Sequence, residues 1–138
     1  MLNDIFKPLK DKIKVLTGIE DVQWFNMQYE ALGWVYSAGC FIEFPNPLDF
    51  GPMSKQARRT PVRIRIHCYT KVVNTHDGVT DSDVVTHEAL AVACRDELQG
   101  FNPGSLLQRP LQFVGWQHWH KWKGWMVTFV DFEGSLII

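Results

Sequence analysis

The chain has 138 residues, of which 46% are hydrophobic and 21% are charged, and its formal net charge is −1. This balance is typical of a single soluble globular domain spanning residues 1–138, and it excludes a disordered chain, which combines low hydrophobicity with high net charge. We expect no membrane span, because no run of about 18 apolar residues occurs. We also expect no secretory signal, because the opening residues MLNDIFKP lack an apolar core.

The charge balance and the cysteines restrict the class of function further. The 14 basic and 15 acidic residues leave no basic surplus of the kind that general nucleic-acid binding needs. Cys40, Cys68 and Cys94 are far apart and form no C-x-x-C pair, so the sequence predicts neither a disulfide framework nor a zinc ribbon. Each lies in an apolar pattern, and we expect three small buried side chains in a reducing compartment.

The first predicted element is a helix over residues 3–17, where apolar side chains recur every three to four positions. Asn3 or Asp4 can cap its start, and Gly18 suits the position after its end. Pro8 fits this helix only if the first turn begins late, because proline lacks the amide proton that a helix interior needs.

Three strands follow, and the third carries the main electrostatic feature. They are predicted over 20–27, 38–44 and 61–71, with a proline-containing loop at 45–60. In the third strand, Val62, Ile64, Ile66 and Cys68 share one face, and Arg63, Arg65, His67 and Tyr69 share the other. Arg58 and Arg59 precede it. We expect a half-buried strand whose cationic outer face either meets nucleic acid or an acidic partner, or is simply solvated.

The last three elements complete the predicted fold. A helix is expected over 81–98, capped by Asp81 or Ser82 and closed by Gly100. Two closing strands are expected over 109–117 and 125–133, joined by a hairpin connection. The order α-β-β-β-α-β-β predicts an α+β domain, in which two helices pack on one face of a mostly antiparallel sheet of four to five strands.

No catalytic motif stands out. The nucleophile elbow, the phosphate loop and the dinucleotide fingerprint are all absent from the sequence. His87 lies at the centre of the apolar arc of the second helix, and we interpret it as a hydrogen-bonded core or interface residue. The sequence therefore assigns no catalytic residue, and we expect no cofactor.

His118 and His120 form the clearest candidate for a metal site. Two positions apart in a strand, both imidazoles lie on one face and could meet one ion. A third ligand would have to come from His67, Asp131 or Glu133, and nothing in the sequence places one of them nearby. The prediction is no metal site, with a metal-dependent hydrolase as the third alternative.

Four of the six tryptophans fall within ten residues of the closing hairpin. They are Trp116, Trp119, Trp122 and Trp125. Trp125 fits the core, whereas Trp119 and Trp122 lie in the connection and are expected to be exposed in a monomer. An exposed aromatic pair is typical of a partner surface, and we favour a protein partner over stacked bases. The predicted interface residues are Arg63, Arg65, His67, Trp116, Trp119 and Trp122.

Four short motifs occur in a recognisable order. They are GIEDVQW at 18–24, AGCFIEF at 38–44, VRIRIHCY at 62–69 and LQGF at 98–101. This order resembles that of the small tail-terminator, or tail-completion, proteins of long-tailed bacteriophages and their prophage relatives. The chain departs from that family at Gly39, where alanine is common, and in its tryptophan-rich hairpin.

The resemblance implies a virion structural protein and not an enzyme. Members of the family form rings, commonly hexamers, that cap the tail tube at its head-proximal end. It implies a homo-oligomer, phage neck and tail proteins as partners, DNA passing only transiently, and a place in the virion after assembly in the bacterial host cytoplasm. The implied lumen or acidic-partner contacts are Arg58, Arg59, Arg63 and Arg65. The alternative is a small single-stranded nucleic-acid-binding module that uses the basic strand and the tryptophans.

Overall fold

The chain folds as an α+β unit, which confirms the predicted class. The structure is a computed structural model that describes residues 2–30, 36–52, 58–72, 79–104, 107–122 and 124–137. The elements in chain order are α1 (Asn3–Lys14), β1 (Asp21–Trp24), a short 3-10 helix (Gln28–Glu30), β2 (Ala38–Glu43), β3 (Gly51–Pro52), β4 (Arg58–Lys71), α2 (Asp81–Leu98), β5 (Gln112–Trp119) and β6 (Trp125–Ile137). Residues 53–57 of the predicted loop lie outside the described residues.

One sheet contains every strand, in the order β1-β2-β4-β6-β5, with β3 beside β4. Its pairs are antiparallel except β1 with β2, which run parallel. The central strand β4 pairs with β6 from Arg59 to Lys71. It begins at Arg58, earlier than predicted, because β3 on one side and the end of β6 on the other extend the ladder.

Both helices lie on one face of the sheet, as predicted. The apolar side chains of β4 point toward them, and the helices contribute one continuous set of buried residues to the same core: Ile5, Leu9, Ile13, Leu90, Ala91, Cys94 and Leu98. Each fully buried Leu or Ile stabilises the fold by about 1.5–3 kcal/mol relative to exposure. In the described part of the chain, neither helix has the length and apolar character that crossing a bilayer requires.

A second apolar cluster, here called the outer aromatic cluster, covers part of the opposite face. Its buried members are Tyr29, Phe41, Tyr69, Val127 and Phe129, and Phe25, Trp119, Trp122 and Trp125 pack against them. The chain between β1 and β2 brings Phe25 and Tyr29 across this face. This half of the outer face is therefore covered by apolar side chains, and it is not the solvated surface that one of the two interpretations of β4 describes.

The start of α1 differs from the expectation. Leu2 occupies the capping position, so the helix begins without a side-chain cap from Asn3 or Asp4. Pro8 lies inside the helix, where burial of the apolar stripe of α1 offsets the one amide donor that proline lacks. Gly18 adopts a φ of +88°, but α1 ends at Lys14 with Val15 as its C-cap, so Gly18 does not occupy the predicted position directly after the helix.

The cap of α2 lies one residue before the predicted candidates Asp81 and Ser82. The Thr80 hydroxyl accepts from the amide of Asp83 at 3.2 Å, and the Asp83 carboxylate accepts from the amide of Thr80 at 3.1 Å. This reciprocal pair is a capping box, which satisfies two amides that the first turn leaves open. Gly100 has a φ of +78°, in keeping with the predicted helix end.

Candidate functional site

Arg63 and Arg65 lie on the outer face, where each pairs with a carboxylate of β6. Arg65 donates from Nε and Nη2 to the two oxygens of Asp131, at 2.9 and 3.1 Å. Arg63 donates to Glu133 at 2.8 Å, and its second terminal nitrogen lies 3.8 Å from Asp131. The Arg65 guanidinium also lies over the ring of Phe129. The expected cationic stripe is thus compensated within the chain.

Replacing Asp131 by asparagine is expected to lower the free energy of unfolding by about 2 kcal/mol. Only 9% of the Asp131 side chain is exposed, so Arg65 would lose its counter-charge in a poorly hydrated place. The loss stays below the several kcal/mol of a fully buried pair because a quarter of the Arg65 side chain reaches water. Urea unfolding monitored by tryptophan fluorescence measures it.

Glu133→Gln is the matched control for that measurement. Glu133 lies on β6, like Asp131, and faces Arg63 of β4. Because 54% of its side chain is exposed, its replacement should lower the free energy of unfolding by less than about 1 kcal/mol. Equal costs for the two variants would contradict the assignment of Asp131 as the buried anchor of this row.

His67 is a buried side chain and not a surface cation. Its Nε2 lies 2.8 Å from a carboxylate oxygen of Glu43, and its Nδ1 lies 2.9 Å from the hydroxyl of Tyr29. Its ring stacks on Phe25 with centroids 4.4 Å apart. Burial lowers the pKa of His67, against the opposing effect of Glu43. A neutral imidazole satisfies both partners, because Nε2–H can donate to Glu43 while Nδ1 accepts from Tyr29.

The expected exposure of Trp119 and Trp122 is wrong. Both indoles are half-buried on the outer aromatic cluster, with ring centroids 5.0 Å and 6.2 Å from that of Tyr29. Trp119 also lies 5.4 Å from Phe129. These contacts cover an apolar patch of the sheet that the strand pattern alone does not reveal. A partner that binds beside Trp119 and Trp122 would contact only the parts of the two rings that remain exposed.

Trp116 faces the helices, because β5 is irregular between Phe113 and Gly115. If side chains alternated strictly along β5, Trp116 would lie on the face opposite Phe113. The bulge adds one residue, so both rings pack against the helix-side core. The Arg95 guanidinium of α2 lies 5.9 Å from the ring of Trp116. The bulge also leaves Val114 exposed on this end strand of the sheet.

A chain of hydrogen bonds runs from the core to His118. The His87 ring bonds to Thr70 at 2.8 Å and to Thr128 at 2.7 Å, and Thr128 bonds to Nδ1 of His118 at 2.7 Å. His87 is buried, so its interpretation as a hydrogen-bonded core residue is confirmed.

The His118 and His120 rings share a face, with centroids 6.1 Å apart. Among the described residues, the one group of three or more His, Cys, Asp or Glu side chains able to share an ion is a set of three cysteines. The histidine pair therefore lacks a third ligand within the described part of the chain.

Two grooves border β5. The first, here called the basic groove, has a volume of about 760 Å³ and lies where the ends of β4 and β6 meet the chain that leads into β5. Its lining includes Arg59, Arg109, Gln112 and Glu133. Neither Arg59 nor Arg109 has an ion-pair partner among the described residues. Arg58 belongs to the same strand end.

The second groove, here called the apolar groove, has a volume of about 290 Å³ and lies beside the start of α2. It is lined by Val79, Val84, His118, Trp119, His120, Trp122, Trp125, Met126 and Val127. It brings together the two predicted hairpin tryptophans and both histidines. Arg63 and His67 do not line either groove as described.

Sequence reasoning missed Arg109, and it named Asp131 and Glu133 only as candidate third metal ligands. Asp131 and Glu133 are the ion-pair partners of Arg65 and Arg63. The sequence signal that could have revealed this role is their spacing of two residues in β6, which matches the spacing of the arginines in β4. Arg109 joins Arg59 only because the chain before β5 folds back along β6, as the bridge between Leu107 and Leu136 shows. No local pattern reveals that contact.

Comparison with known proteins shows similarity at the level of structure. No protein-family model matches the chain, and no curated protein matches its sequence. Among solved structures, a chain from a structure titled "Virion of native gene transfer agent (GTA) particle" matches with a TM-score of 0.62. The match has 12% sequence identity and covers 94% of this chain and 92% of that chain. At this identity, the two chains share a fold over nearly their whole lengths.

Proposed function

We propose that the chain is a structural protein of a phage or phage-like virion, which assembles with its own copies into a ring at the head-proximal end of the tail and joins tail to head. The observation that carries the proposal is the shared fold with a chain from a gene transfer agent virion over 94% of this chain. The order of sequence motifs supports it separately, because it resembles tail terminators. The absence of a catalytic motif in the sequence agrees with a structural role.

A closed ring needs two different surfaces on each copy that fit each other. The sheet has two ends, β1 and β5, and β5 is flanked by exposed apolar side chains. Val114 on the bulge is 42% exposed, and Val84 of α2, which lines the apolar groove beside His118 and Trp119 of β5, is also 42% exposed. An end strand with exposed apolar neighbours favours pairing with another chain. We infer that this side of the molecule, together with the apolar groove, forms one half of the subunit interface.

The basic groove is the proposed contact for acidic groups of a neighbouring protein. Arg59 and Arg109 keep their charges available there, whereas those of Arg63 and Arg65 are compensated by Asp131 and Glu133. Such a groove can steer a neighbour into register at the rim of an interface. If it faces the lumen, two arginines per copy add only a modest attraction for passing DNA.

Substituting Val84 or Val114 by arginine is expected to shift ring assembly to higher protein concentrations. Each change places an unpaired charge on the proposed interface, and the cost recurs at every contact between subunits. We expect at least about a tenfold rise in the concentration needed for assembly, which corresponds to about 1.4 kcal/mol per contact. Light scattering coupled to size-exclusion chromatography measures the mass over a range of concentrations.

Val15→Arg is the matched control for both variants. Val15 is 75% exposed and follows α1, and it belongs to neither of the two elements, α2 and β5, that carry the substituted valines. The control should assemble like the parent protein. A parent protein that stays monomeric at all concentrations, alone and with tail-tube protein, would contradict the ring. Assembly unaffected by both interface variants would instead contradict the assigned surface.

The alternative is a single-stranded nucleic-acid-binding module, and the basic groove is the observation in its favour. Against it, Trp119 and Trp122 use much of their ring surface on Tyr29 and Phe129, which leaves less for stacking on bases. A monomer that binds an oligonucleotide with a steep dependence on salt, lost in Arg59→Glu and Arg109→Glu, would favour this alternative.

A further inference from the structure

Three thiols meet in the core between α2 and the sheet. Cys40 of β2, Cys68 of β4 and Cys94 of α2 place their sulfur atoms within 4.8 Å of one another. The sulfurs of Cys40 and Cys68 are 3.9 Å apart. All three side chains are buried free cysteines, and the proposed assembly uses none of them.

The positions of the three sulfurs follow from the fold. Cys40 and Cys68 are direct partners in the antiparallel register of β2 and β4, and both point toward the helices. Cys94 lies on the buried side of α2, one turn from Leu90 and one turn from Leu98. Three rigid elements therefore hold one thiol each, which is the kind of preorganisation that a ligand set requires.

The spacing is close to that of three sulfurs around one ion. With bonds of about 2.3 Å to the ion, sulfurs in a flat trigonal site lie about 4 Å apart, and they lie closer in a pyramidal one. The 3.9 Å distance between Cys40 and Cys68 matches the flat site and is about 0.4 Å longer than the roughly 3.5 Å spacing of a pyramidal one. A trivalent ion with a lone pair takes the pyramidal geometry, so Cys94 has to approach by up to about 1.3 Å, which side-chain rotation supplies.

The apolar surroundings select the charge of the ion. The described residues that pack in this core are aliphatic, aromatic or thiol side chains, and the charged group that acts on Cys94 from outside the three thiols is the carboxylate of Glu97, which would repel a bound anion. Three thiolates leave a net charge of −2 with a monovalent ion, −1 with a divalent ion and zero with a trivalent ion. Burying an uncompensated charge is costly, so an uncharged complex is favoured.

We propose that Cys40, Cys68 and Cys94 form a binding site for one trivalent thiophilic ion, of which arsenic(III) is the test case. Arsenous acid would react as As(OH)₃ + 3 RSH → As(SR)₃ + 3 H₂O. Three As–O and three S–H bonds break, three As–S bonds form, and the protons leave in water. No atom changes its oxidation state, and the product is uncharged.

The test is refolding of the reduced protein from urea in the presence of arsenite, which gives the ion access before the core closes. Mass spectrometry under non-denaturing conditions should show one arsenic per chain, and the thermal midpoint of the folded protein should rise. Cd²⁺ offered in the same way should bind far more weakly, because its complex keeps a negative charge. A folded protein without arsenic, or one that prefers Cd²⁺, overturns the proposal.

Single replacements by alanine show whether all three sulfurs take part. Cys40→Ala, Cys68→Ala and Cys94→Ala should each lower the affinity by more than the roughly 10- to 100-fold that loss of a supporting group costs at metal sites. Val130→Ala trims the same core while keeping the thiols, and it should still bind one arsenic. Retention of arsenic by any folded cysteine variant contradicts a three-sulfur site. All three variants are measured because a single folded one is enough to test the site.

Discussion

Gly39→Ala is expected to lower the free energy of unfolding by about 3 kcal/mol, as in severe overpacking of a core. A methyl group at this position would lie 2.6 Å from the backbone oxygen of Asp21 and 2.5 Å from the hydroxyl of Tyr69. The Asp21 oxygen belongs to the neighbouring strand β1, so relief requires β1 and β2 to separate. Urea unfolding of the two proteins measures the difference.

Gly124→Ala is the control for a glycine-to-alanine change as such. No atom lies within 4 Å of the position that its methyl group would occupy, so the change should be neutral or slightly stabilising. A Gly39→Ala protein as stable as the parent would show that β1 does not lie as close to β2 as described.

Lowering the pH from 7 to 4 is expected to remove about 3 kcal/mol of stability through His87 alone. Burial, followed by the nearby charge of His118, lowers the pKa of His87 to about 4 in the folded protein. In the unfolded chain a histidine titrates near 6.5. As the pH falls below about 6.5, the histidine binds a proton in the unfolded chain but not in the folded protein. The free energy of unfolding therefore decreases until the pH reaches about 4, where the folded protein also binds the proton.

His87→Gln isolates this contribution. Glutamine can still bond to Thr70 and Thr128 but does not titrate, so its free energy of unfolding should fall less between pH 7 and pH 4 than that of the parent. His67, whose pKa is also lowered, is present in both proteins and cancels in the comparison. Equal pH dependence in the two proteins would mean that His87 is protonated in the folded state at no cost.

Local periodicity in the sequence was sufficient to predict the fold class. In β4, the alternation from Val62 to Tyr69 assigns each side chain to a face, and the structure keeps every assignment. The stripe of α1 and the arc of α2 likewise identified the helix faces that pack on the core. These features depend on neighbours in the chain, and a period of 2 or 3.6 reports them directly.

The candidate site depended on contacts that no period reports. Arg65 and Asp131 are 66 positions apart, and only the register of β4 with β6 brings them together. The bulge in β5 reverses the face of Trp116, and a single inserted residue leaves no clear mark in an alternating pattern. Tyr29 reaches the outer face through a connection rather than a strand, so the partners of Trp119 and Trp122 could not be predicted.

The position of β6 has a consequence for how the protein forms during synthesis. β6 is the last described element in chain order, yet it lies between β4 and β5. The ladder between β4 and β6 cannot be completed until the chain as far as Ile137 has left the ribosome, since Ile137 is the partner of Arg59 and lies 78 residues later. Until then β4 has one unpaired edge, which makes nascent chains prone to associate. Folding dominated by such distant contacts is slow.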